Sequence, residues 1–145
     1  MDDCLEELYL DLCRTWLYRA QNSPLSICLD TDGLVPVDHP LLDLVCELSH
    51  QWLDIELGSD IPLSRLPVNQ KYPWLEKLWI SAPLTDRLTL NFHAAPRLRD
   101  VFILEYTPKI QLPCHQLIKF RTNNIEIWDC PELLRQALEP CGSPP

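Results

Sequence analysis

Glycine is almost missing from this 145-residue sequence: three isolated glycines leave no room for a G-x-G-x-x-G turn or a phosphate-cradling P-loop. Seven cysteines occur, but no two are spaced as C-x-x-C, and an odd number without such spacing makes no disulfide framework. They read as free thiols of a reducing compartment. No apolar run is long enough to span a bilayer, and the opening Met1-Asp2-Asp3-Cys4-Leu5-Glu6-Glu7 is acidic where a secretory leader would be basic, so a cytoplasmic or nuclear location is expected. Positive charge is also scarce. Twelve Lys and Arg face twenty-one Asp and Glu, for a net charge of −9. The excess is confined to residues 1–72, with thirteen acidic and four basic side chains, while residues 73–145 carry eight of each. Such a field repels nucleic acid and anionic membrane, and neither is expected as a partner.

What the chain has is proline, fourteen of them, and a repeated apolar kernel. Pro73-Trp74-Leu75-Glu76-Lys77-Leu78-Trp79-Ile80 and Pro96-Arg97-Leu98-Arg99-Asp100-Val101-Phe102-Ile103 share the pattern P-x-L-x-x-h-x-I, with h apolar, at an offset of 23 residues. The kernel recurs as Trp52-x-x-Ile55-x-Leu57 and Leu117-x-x-Phe120-x-Thr122, and in shorter form as Leu25-x-Ile27-x-Leu29. Its central residues Ile27, Ile55, Leu78, Val101 and Phe120 are spaced by 28, 23, 23 and 19. Intervals of this size predict an α/β leucine-rich-repeat-like solenoid of about five units, each adding one strand to a parallel sheet, with helices and irregular turns on the convex side.

The remaining elements follow from periodicity and caps. Leu5, Leu8, Leu12 and Trp16 recur at helical spacing behind Asp3, a candidate N-cap, which predicts a first helix ending near Gln21-Asn22-Ser23-Pro24. A strand over residues 25–30 comes next. Asp38 and Pro40 open a second helix with Leu41, Leu44, Val45 and Leu48 on one face. Proline-marked returns join the later strands, and a last helix is predicted behind Asp129 and Pro131, through Leu133, Leu134, Ala137 and Leu138. The whole forms one domain: residues 1–21 a capping helix, 22–138 the repeats, 139–145 a tail. Stacked repeats need caps at both ends. The first helix supplies one, and the poorly protected other end leads us to expect a piece of a longer solenoid.

Several segments together resemble the carboxyl-terminal region of fungal F-box proteins, over roughly residues 10–138. They are Trp16-Leu17-Tyr18-Arg19, Ser23-Pro24-Leu25-Ser26-Ile27-Cys28-Leu29, Asp38-His39-Pro40-Leu41-Leu42-Asp43-Leu44 and Ser49-His50-Gln51-Trp52. The likeness continues in Pro73-Trp74-Leu75-Glu76-Lys77-Leu78, Phe92-His93-Ala94-Ala95-Pro96-Arg97-Leu98-Arg99 and Leu112-Pro113-Cys114-His115-Gln116-Leu117, and closes on Cys130-Pro131-Glu132-Leu133-Leu134-Arg135. The resemblance implies recognition of a protein substrate for a ubiquitin ligase. The F-box that would dock the ligase adaptor has no counterpart before Leu5, so an adaptor is implied as a partner only if an F-box is present elsewhere. A stand-alone scaffold or inhibitor is the other form of the same binding function.

Enzymatic and metal candidates are few. Ile27-Cys28-Leu29-Asp30-Thr31-Asp32-Gly33 looks like the first motif of haloacid-dehalogenase-type phosphatases, in which the first Asp is the nucleophile and the second a general acid beside magnesium. Leu34 stands where that family has Thr or Ser, and the later Asp pair is not found. Cys46 and His50 sit at i and i+4 but lack two further ligands. Ser49-His50 and Cys114-His115 are neighbours in sequence, which is not how triads are built. The expectation is a protein without catalytic residues, cofactor or metal.

Strand alternation supplies the binding candidate. If Leu78, Ile80, Val101 and Ile103 face the core, Lys77, Trp79, Asp100 and Phe102 face the concave surface. Trp79 and Phe102 then lie side by side, with Asp54 and Glu56 on one flank and Lys119 and Arg121 on the other. An aromatic anchor between opposite charges has the composition of an interface hot spot. The predicted protein-binding set is therefore Trp79, Phe102, Asp54, Glu56, Lys77, Lys119 and Arg121.

Overall fold

The computed structural model describes residues 3–30, 40–67, 70–82, 89–105, 110–122 and 125–128. The expected last helix, the Asp38 cap and Asp32 lie outside them. Helix α1 (Asp3–Arg19) leads into strand β1 (Leu25–Leu29), helix α2 (Pro40–Glu47) and strand β2 (Trp52–Leu57). Then come β3 (Lys77–Ile80), β4 (Leu90–Asn91), β5 (Asp100–Ile103), β6 (Ile110–Gln111), β7 (Lys119–Thr122) and β8 (Ile125–Trp128). The main sheet runs β1-β2-β3-β5-β7-β8. Its first five strands are mutually parallel and β8 is antiparallel to β7.

The repeated kernel explains this sheet. Its central residues stand in register across five strands, Ile27 opposite Ile55, then Leu78, Val101 and Phe120. The kernel's first apolar residue makes a second buried row in Trp52, Leu75, Leu98 and Leu117, and its last a third in Leu57, Ile80 and Ile103, all at most 1% exposed. Three apolar positions per unit, stacked on those of the next, give a continuous core from units that could not bury their apolar side alone.

The backbone repeats too. Just before each strand, Glu76 N–H donates to Leu53 C=O, Arg99 N–H to Glu76 C=O and Ile118 N–H to Arg99 C=O, at 2.8, 3.0 and 2.8 Å. Beyond the strands, Ser81 N–H reaches Leu57 C=O and Leu104 N–H reaches Ile80 C=O, both at 2.9 Å. Each unit thus satisfies the backbone groups of its neighbour on both sides of the strand proper.

Of the proline-marked returns, residues 61–67 hold a single 3₁₀ turn at Leu63–Arg65, while residues 83–88 and 106–109 lie outside the described residues; two further 3₁₀ turns stand at Ser49–Gln51 and Cys114–Gln116. The sequence gives no hint of β4 and β6, two-residue strands that pair in parallel as a second small sheet. Between the layers Trp52, Tyr72 and Phe92 form a file of rings, with centroids 5.7 and 5.3 Å apart. The Trp52 indole N–H donates to Val45 C=O at 3.2 Å, tying this file to α2. Gln116 serves the later units in the same way, its amide donating to Ala95 C=O at 2.6 Å and Leu98 C=O at 3.0 Å.

Beyond the expected strands, β8 pairs antiparallel with β7 and forms that edge of the sheet. At the other end α1 lies against α2. The stripe expected to pack, Leu5, Leu8, Leu12 and Trp16, is exposed, and Leu10, Cys13 and Leu17 are the half-buried side. The helix is apolar on both sides, so spacing alone does not decide which one meets the body. Two residues past its end at Arg19, Gln21 is left-handed, with a φ of 52°. Among the described residues no helix is long and apolar enough to cross a membrane.

Candidate functional site

The outward face of the main sheet carries two registered rows. In one, Ser26, Asp54, Lys77, Asp100 and Lys119 follow one another from β1 to β7, so charge alternates in sign over the last four strands. In the other, Cys28, Glu56, Trp79, Phe102 and Arg121 do the same. All seven residues expected to form the binding set therefore belong to two adjacent rows. Neighbours within a row are separated by the interstrand spacing of about 4.8 Å.

At the centre, Trp79 and Phe102 stack with centroids 4.1 Å apart and planes 23° from parallel. Their backbones are fixed by the register of β3 and β5, and each ring stands out because its sequence neighbours point inward. The Trp79 indole N–H donates to Ser81 Oγ at 3.0 Å, which limits rotation of the larger ring.

Arg121 is where the arrangement departs from expectation. It was expected as a flanking charge, but its guanidinium carbon lies 4.9 Å from the Trp79 ring centroid and 5.6 Å from that of Phe102. A cation over the face of both rings is attracted by their quadrupoles. The guanidinium also meets Asp100 Oδ1 at 3.7 Å. The side chain is 21% exposed, and its buried Nε has no hydrogen-bond partner among the described residues. The rings are consequently half-buried rather than laid bare, with Arg121 as their partial cover.

The other members divide by exposure. Lys77 and Glu56 are exposed, while Asp54 and Lys119 are half-buried within the alternating row. Glu56 stands beside Trp79 on the acidic strand, and Lys119 stands beside Asp100 on the basic one. Three contributors fall outside the predicted set: Asp100, Ser81 and Cys28. Alternation already places Asp100 outward. Ser81 lies just past its strand, where alternation no longer applies. The Cys28 thiol is raised above its ordinary pKa by desolvation first, then by the charge of Glu56 and a hydrogen bond to it, with Asp30 and Asp54 adding to the effect. It is a neutral, poorly nucleophilic thiol at physiological pH.

Asp32 and the Cys114 side chain lie outside what the structure describes, and among the described residues the other chemical candidates are not drawn together. Cys46 is half-buried, its Sγ donating to Arg65 C=O at 3.8 Å, and burial with the nearby Asp43 charge pushes its pKa up to about 11, against the pull of Arg65. Metal binding would need that thiol deprotonated. His50 is exposed, with its Nε2 3.3 Å from the Gln51 amide nitrogen, whereas Ser49 is buried. Asp30 follows β1, with its carboxylate filling the space where a side chain at Gly58 would go. Among the described residues no group of three or more His, Cys, Asp or Glu could hold a metal ion.

Set against protein-family models, curated proteins and solved structures, the chain matches none.

Proposed function

We propose that the chain is a protein-binding module and that its partner docks on the outward face of the main sheet, over Trp79 and Phe102. The observation that carries this is the ring stack itself: two large aromatic side chains side by side on a rigid sheet, between an acidic strand at β2 and a basic strand at β7. Hot spots are built from aromatic and Arg side chains set within polar surroundings, and Trp79, Phe102 and Arg121 are of those types. A rigid parallel sheet also presents them at little entropic cost.

The three registered apolar rows and the backbone bonds recurring from unit to unit support a leucine-rich-repeat-like solenoid as the finer form of the fold. In the form suggested by the resemblance to F-box proteins, the bound partner is a substrate held for a ubiquitin ligase. The test is a photo-crosslinking amino acid at position 77, exposed beside Trp79, in the chain expressed in its native cells. A partner crosslinked there and absent when Trp79 is replaced by Ala supports the binding face. Ligase subunits recovered with it favour the substrate-recognition form, and the partner alone favours a scaffold or inhibitor. Crosslinking that ignores the Trp79 substitution contradicts the proposal.

A further inference from the structure

The returns that lead into β3 and β5 enclose a polar cleft. Gln70, Lys71, Asn91, His93 and Ala94 line it, and its volume is about 230 Å³. Asn91 is half-buried and the other four are exposed. Two hydrogen bonds set its walls: Tyr72 N–H donates to Ala94 C=O at 2.9 Å, which ties the two returns together, and His93 N–H donates to Asn91 Oδ1 at 2.9 Å. The second bond occupies the oxygen of the Asn91 amide and leaves its N–H groups as donors. Three residues on from Lys71 and Ala94, Arg97 lies over the Trp74 ring, its guanidinium carbon 4.6 Å from the centroid. Stacking fixes the guanidinium plane and leaves the N–H groups in that plane to meet an acceptor.

Charge is sorted along the strands. Because β1, β2, β3 and β5 are parallel, their N-terminal ends share one rim and their C-terminal ends the other. Residues 70–76 and 92–99, entering β3 and β5, carry Lys71, His93, Arg97 and Arg99 against a single acid, the half-buried Glu76. Asp30, Asp60 and Glu105 follow β1, β2 and β5 at the opposite rim. Among the described residues Lys71, Arg97 and Arg99 meet no carboxylate within ion-pair reach, whereas Arg14, Arg65 and Arg121 each do. The net charge of −9 opposes anions at long range, but salt limits that field to about 8 Å, so the groups at the cleft decide. We propose that the cleft binds a phosphate monoester, with Lys71, Arg97 and the Asn91 amide donating to its terminal oxygens. A carboxylate offers two oxygens, whereas ammonium, guanidinium and amide donors together suit the three of a phosphate. The same chemistry serves a free phosphate ester or a phosphorylated side chain of a partner protein.

The full chain, labelled with 15N, is titrated with inorganic phosphate and with O-phosphoserine blocked at both ends, at constant ionic strength, and followed by NMR. Saturable shifts centred on the Lys71, His93 and Ala94 amides are expected. Lys71→Gln and Arg97→Gln, both at exposed positions, should each weaken binding by about fivefold or more, and Lys71→Arg should retain most of it. Trp79→Ala should bind as the parent does, since the cleft shares no residue with the outward sheet face. Tighter binding of O-phosphoserine than of inorganic phosphate assigns the site to a phosphorylated side chain, and equal binding assigns it to a free phosphate. Three results would overturn the proposal: acetate shifting the same amides at the same concentrations, unchanged phosphate affinity in both Gln variants, or no saturable shift with either phosphate probe.

Discussion

The Arg121 guanidinium lies 4.9 Å from the Trp79 ring centroid although β5 runs between their strands. It spans that strand by lying over Phe102, and it meets the Asp100 carboxylate at 3.7 Å. One side chain from the basic strand thus joins the aromatic pair to the alternating charge row.

Arg121→Gln should remove the cation from both rings and its ion pair with Asp100. With the Arg121 side chain 21% exposed, a stability loss of about 1 kcal/mol is expected in urea unfolding. Arg121→Lys should recover only part of it, because an ammonium lacks the planar group that stacks.

Core truncation should be graded along the ladder. Leu78 is 2% exposed in the middle of the sheet, and Leu78→Ala should cost about 2–5 kcal/mol by denaturant titration. Ile27 is half-buried at the β1 edge, so Ile27→Ala should cost less, about 1–2 kcal/mol. Equal losses at the two positions would show that the end rung is as enclosed as the centre.

Alkaline pH should destabilise the fold. Cys46 is pushed up to about 11 from 9.0, chiefly by burial, and Tyr72 to about 12 from 10.0 for the same first reason. Both groups are neutral when protonated, and the folded state holds the proton more tightly than the unfolded chain. Their contribution is complete below about pH 9 and declines as pH rises toward 12. The melting temperature should fall across that window, and Cys46→Ala should flatten its lower part.

Gln21 takes a left-handed conformation, φ 52°, just past the end of α1. A side chain there opposes the backbone, and glycine does not. Gln21→Gly should therefore raise stability by up to about 1 kcal/mol in thermal or urea unfolding.

Much of the sheet was legible because one kernel serves every unit. The spacing of Ile55, Leu78, Val101 and Phe120 predicted their shared row, and alternation around Leu78 and Val101 put Trp79 and Phe102 side by side. Arg121 was assigned to the right strand and face, but its reach across β5 was not foreseen, since alternation fixes only the direction in which a long side chain leaves the backbone. β4 and β6 were missed because two residues carry no periodicity. The exposed side of α1 was missed because spacing reports that a face is apolar, not whether the same chain covers it.

The central claim is tested most directly by the equilibrium affinity of the crosslinked partner for the parent chain and for Trp79→Ala and Phe102→Ala, each first shown to fold by circular dichroism and urea unfolding. Either substitution forfeits the stack and about 1 kcal/mol of stability, which leaves the fold standing. Affinity should fall by more than about 2 kcal/mol, roughly thirtyfold, with either ring removed. Folded variants that bind as tightly as the parent would place the recognition surface elsewhere on the molecule.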